Sequence, residues 1–103
     1  MNCIFITYKT STYLLKLFIN INKKTIHVNN NLVEITEKKI KELVFLISDN
    51  IIKNNDNSVI DFDECLIEII NDNEKLRKRV NAQNFKNFAL LKDWISEYYA
   101  WIF

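Results

Sequence analysis

Hydrophobic and polar positions alternate with a period of two over the first 28 residues and switch to a helical period after them. Ile4, Ile6 and Tyr8 share one phase, Tyr13, Leu15, Leu17, Ile19 and Ile21 a second run, and Ile26 and Val28 a third. Thr12, Lys16 and Asn20 fall mostly on the opposite phase, the signature of half-buried strands. Thr10-Ser11 and Asn22-Lys23 mark the turns between runs, and Asn22 is placed to take a left-handed conformation. A helix is a rival reading for Leu14, Leu17, Phe18 and Ile21, but β-branched and aromatic residues favour a three-stranded meander.

Asn29-Asn30-Asn31 forms a polar break. Ile40, Leu43, Val44, Ile47 and Ile51 then follow helical spacing, with Thr36 as N-cap and Glu37 in the first turn. Beyond a second polar stretch from Asn54 to Ser58, Phe62, Cys65, Leu66, Ile69 and Ile70 trace another apolar stripe. Asp61 and Glu64 there have the spacing of a capping box, so a second helix is expected, ending near Asn71-Asp72-Asn73 or continuing through Leu76 and Val80. Phe85, Phe88, Leu91, Ile95, Tyr98 and Ile102 predict a third. Leu90, Trp94, Tyr99, Trp101 and Phe103 widen its stripe, so that helix wants more than one neighbour. The expectation is one domain over residues 1–103 of the α+β class: an N-terminal antiparallel hairpin or three-stranded meander with about three helices packed on it. A mostly α fold is the alternative.

Composition sharpens this by exclusion. The chain of 103 residues contains neither glycine nor proline. The phosphate-binding P-loop, the dinucleotide-binding turn and the nucleophile elbow each need glycine at fixed offsets and cannot be written here. Net charge is +1, from 14 basic and 13 acidic residues, so bulk charge selects no partner and only local clusters speak. Ile, Asn and Lys supply 43 residues, a bias toward A/T-rich codons. Cys3 and Cys65 follow no signal-peptide pattern, which points to reduced thiols and a cytoplasmic setting. The apolar stretch at the N-terminus is interrupted by Lys9 and Lys16, so no membrane segment is expected.

Four clusters carry candidate chemistry. The segment Lys53 to Glu64, KNNDNSVIDFDE, resembles an EF-hand calcium loop, with Asn55, Asn57, Asp61 and Glu64 at ligand positions and Ile60 at the hydrophobic one. It departs from that family at Lys53, a cation in the first ligand position, and at Ser58, where the loop turns on glycine. Lys75, Arg77, Lys78, Arg79 and Lys86 make a basic segment suited to phosphate contacts, or simply a solvated helix face. Asp61, Asp63, Glu64, Glu68 and Asp72 make an acidic band beside it, which leaves the surface locally dipolar, a property that suits protein partners. His27 and Cys3 are the sole components of a nucleophile pair, with nothing to form an oxyanion hole.

The reading that best fits is a non-catalytic binding protein that masks another macromolecule's surface, without cofactor or metal. Its expected contacts are Trp94, Tyr98, Tyr99, Trp101, Glu68 and Asp72, with either a protein partner or a second copy docking on the C-terminal aromatic helix. Small proteins of A/T-rich genomes include phage and viral inhibitors of host defence such as anti-CRISPR proteins, and by that analogy alone this chain is expected to be one. The alternatives are a nucleic-acid-binding module using Lys75 to Lys86, and a degenerate calcium-binding protein.

Overall fold

In a computed structural model, which describes residues 1–12, 14–50, 52 and 60–98, the chain forms a six-stranded antiparallel sheet with two helices. The elements are β1 (Cys3–Lys9), β2 (Leu14–Asn20), β3 (Thr25–Val28), β4 (Asn31–Glu34), α1 (Glu37–Ser48), β5 (Glu64–Asn71), β6 (Glu74–Val80) and α2 (Phe88–Ser96). Strand order is β4-β3-β2-β1-β5-β6. The first four strands form a meander that grows outward from β1. After α1 the chain returns to the other side of β1, where β5 and β6 add a hairpin.

The alternation read from the sequence sets the layers. Ile4, Ile6, Tyr8, Leu15, Leu17, Ile19, Ile26 and Val28 all point to one face, where they form a single core with Ile40, Leu43 and Ile47 of α1 and Leu91, Trp94 and Ile95 of α2. Cys65, Ile67 and Ile69 of β5 continue that face. Thr36 caps α1 as expected, its hydroxyl accepting from the Lys39 amide at 3.2 Å.

The predicted α+β layout of a meander and three helices is corrected in two places. Residues 64–80, expected to be helical, form the β5-β6 hairpin, and the fold is mainly β. The run Glu64-Cys-Leu-Ile-Glu-Ile-Ile carries apolar residues on both strand phases, Leu66 and Ile70 standing among the glutamates, so the same residues satisfy a helical stripe and a strand. Pairing decides between them, because Glu64 to Ile70 each find a partner on β1, a contact far away in sequence. The polar break at Asn29 to Asn31 is the tight turn of a further hairpin, β3-β4, in which Asn29 and Asn30 both adopt positive φ, 47° and 73°. Two successive left-handed residues match the right-handed strand twist, and asparagine tolerates the conformation where glycine is lacking. In the preceding turn the left-handed residue is Lys24, φ 54°, and not Asn22.

Candidate functional site

Both helices pack on the same face of the sheet, and the opposite face carries the second phase of every strand. Antiparallel register aligns these outward residues in rows across the sheet. One row runs Leu32, His27, Phe18, Phe5, Glu68, Arg77 from β4 to β6. The next carries Lys16, Thr7, Leu66 and Arg79. The Phe5 and Phe18 rings lie 4.4 Å apart at 57°, and His27 extends the group, its ring 5.9 Å from that of Phe18. A shallow depression of about 300 Å³ opens over Phe5, Thr7, Lys16, Phe18, His27 and Glu68.

Around this aromatic centre the margin is unusually apolar. Leu32 is 67% exposed, Phe62 63% and Leu14 42%. The Lys9 ammonium sits 5.2 Å from the centroid of the Phe62 ring. Leu66, between Thr7 and Arg79 in the second row, is buried although none of the described helices covers it.

The charges on this face largely answer one another. Lys75 pairs with Glu68 at 2.9 Å and Arg79 Nε with Glu64 at 3.1 Å. Glu64 is a buried carboxylate, 8% exposed, and accepts a further hydrogen bond from Asn81 Nδ2 at 3.3 Å. Lys16 and Arg77 make no ion pair among the described residues. Arg77 Nε and His27 Nδ1, toward the two ends of the aromatic row, are buried without a hydrogen-bond partner. Buried polar atoms of this kind cost about 1–3 kcal/mol each and are uncommon away from places where something else completes them.

The residues singled out in the sequence are scattered by the fold. Trp94 and Tyr98 are 4% and 6% exposed and lie inside the domain. Trp94 Nε1 donates to the Lys39 carbonyl at 2.8 Å, and the Lys39 ammonium lies 4.8 Å and 5.7 Å from the two ring centroids. Burial, with Glu97 adding a smaller push, raises the Tyr98 hydroxyl to about 12. The aromatic excess at the C-terminus is therefore largely internal packing as far as residue 98, while Tyr99 and Trp101 lie outside the described residues. Glu68 stands in the aromatic row. Asp72 occupies the β5-β6 turn at φ 39° and accepts from Asn2 Nδ2 at 2.9 Å.

The basic segment is divided rather than gathered. Lys75, Arg77 and Arg79 share the open face, Lys78 takes the other phase of β6, and Lys86 lies beyond the strand and pairs with Asp49 at 3.0 Å. The EF-hand resemblance is overturned at its exit: Glu64 begins a strand rather than a helix, and its carboxylate is held by Arg79 and Asn81. Residues 53–59 of that loop lie outside the described residues. Asp63 is engaged as well, since Tyr8 Oη donates to it at 2.6 Å and Lys92 Nζ at 3.1 Å. Those contacts, the tyrosine hydrogen bond foremost, hold its carboxyl below the ordinary 3.8. Among the described residues no cluster of three or more His, Cys, Asp or Glu is arranged to hold a metal ion. Cys3 and Cys65 are free and occupy opposite faces, and β2 separates Cys3 from His27. Burial pushes the Cys65 thiol far above its usual range.

Sequence reasoning passed over Phe5, Phe18 and Leu32. The signal was present, because Phe5 and Phe18 occupy the phase otherwise given to Thr7, Lys16 and Asn20, and an aromatic on the polar phase marks a face that is not simply solvated. No protein family, curated protein or solved structure compared with this chain matches it.

Proposed function

We propose that this protein is a non-catalytic binding module whose open sheet face docks on another protein and masks part of its surface. The observation that carries the proposal is the Phe5-Phe18 pair, half-buried at the centre of a sheet face that neither described helix covers, with exposed Leu14, Leu32 and Phe62 around it. Aromatic and aliphatic side chains grouped on one face with arginine beside them have the composition of a protein interface. Occupying a partner's surface in this manner is sufficient for the inhibitor role that the A/T-biased composition suggests. Two free thiols fit a reducing compartment, the cytoplasm in the first instance. No helix among the described residues is long and apolar enough to cross a membrane.

Nucleic acid is the second reading, because aromatics on a sheet beside Lys16 and Arg77 also form a base-stacking platform. The protein reading ranks above it on electrostatic grounds: Lys75 and Arg79 are engaged by Glu68 and Glu64 on the same face. Phosphate neutralisation needs free cations in number.

Affinity capture from the cell that makes the protein tests this, with wild type and Phe18→Asp compared before and after nuclease treatment. One protein retained in fixed ratio by wild type, lost with Phe18→Asp and indifferent to nuclease, is the expected result. Retention that survives Phe18→Asp contradicts the proposal, and retention abolished by nuclease transfers the face to nucleic acid.

A further inference from the structure

The helical side of the molecule holds a second groove, between α1 and α2, that the sheet-face proposal does not use. Leu46 and Trp94 are its buried lining, Phe45 and Leu90 its walls, and its volume is about 330 Å³. Phe45 is 68% exposed and Leu90 53%, although each stands on a helix whose opposite stripe is fully engaged with the core. The groove can take one large apolar side chain, the way an amphipathic helix seats an anchor residue.

Charge decides the kind of partner. Glu42, Asp93 and Glu97 lie along the groove, with Lys39 as the lone cation of its lining. Lys39 pairs with Glu97 at 2.8 Å and rests over the Trp94 ring, so its charge is already answered. Glu42 and Asp93 have no cationic partner among the described residues. Two uncompensated carboxylates beside exposed Phe45 and Leu90 repel phosphate, and they disfavour a symmetric contact between two copies, which would set like charges against each other. We infer that this groove is a second docking site, and that its occupant is a basic amphipathic segment of a partner protein: an apolar anchor flanked by Lys or Arg.

The test uses the full chain carrying Trp101→Phe, which leaves Trp94 as the single tryptophan and its emission as a local reporter. The probes are a synthetic amphipathic helical peptide of leucine and lysine and its leucine and glutamate counterpart. A saturable change in Trp94 emission with the first peptide and none with the second is expected. Glu42→Lys combined with Asp93→Lys should weaken the first by roughly tenfold and admit the second. Leu90→Ser should weaken binding while circular dichroism shows the fold retained. Phe18→Asp should leave the titration unchanged, which separates this site from the sheet face. Absence of a saturable response to either peptide overturns the inference, as does an affinity for the lysine peptide that charge reversal leaves intact. A response lost with Phe18→Asp places the peptide on the sheet and overturns it too. If light scattering shows a dimer that Leu90→Ser dissolves, the groove belongs to a second copy and the inference falls.

Discussion

Neighbouring residues on one strand separate stability from function, because successive side chains point to opposite faces. Leu17 is 2% exposed in the core, whereas Phe18 lies half-buried in the aromatic row. Leu17→Ala should lower unfolding free energy by about 2–5 kcal/mol, the range for a large core residue truncated to alanine. Phe18→Ala should cost clearly less in a urea titration, and its main effect should be loss of partner binding. Asp63 supplies a pH signature at the same scale. Its carboxyl titrates below the ordinary 3.8 chiefly because Tyr8 donates to the charged form. A depressed carboxylate contributes stability that is complete above the unfolded value and is lost as pH falls through the lower folded one. Carbon-detected NMR should find the Asp63 midpoint below 3.8 in wild type and higher in Tyr8→Phe; an unchanged midpoint would remove Tyr8 as the cause.

Elements were legible where a single period fitted the apolar positions and illegible where strand and helix periods fitted them equally. The strands from Ile4 to Val28 and the helix from Glu37 announced themselves, since their polar positions are consistent and Thr36 offers a cap. β5 gave no such contrast: Leu66 and Ile70 share the open phase with Glu64 and Glu68 and complete a helical stripe with Cys65 and Ile69, so only pairing with β1 fixed it. β4 went unread because the turn before it is made by Asn29 and Asn30, whose positive φ is ordinarily read from glycine. Turn chemistry also yields a prediction. Lys24 holds φ 54° without the local hydrogen bonding that helps asparagine. Lys24→Gly should therefore raise unfolding free energy by about 0.5–1 kcal/mol, because relief of the left-handed cost exceeds the added chain entropy and the exposed Lys24-Glu37 pair it removes is weak. Asn22→Gly should not, and thermal melts of the two variants make the comparison.

At the scale of the whole molecule, a sheet with both helices on one side leaves its other side to be explained. A solvated face would carry Thr, Lys and Glu throughout, as β2 does at Lys16, yet the central row holds two phenylalanines and a histidine. Burial of the C-terminal Trp94 and Tyr98 moves the candidate contact from the helix tip to this face, a shift that only the packed fold reveals. The most direct measurement of that claim is photo-crosslinking in the cell of origin, with a benzoylphenylalanine placed at position 18 and, as a control on the helical side, at position 48. The account predicts one dominant protein adduct from position 18, resistant to nuclease and absent from position 48; no adduct at 18, or the same adduct from both positions, would contradict it.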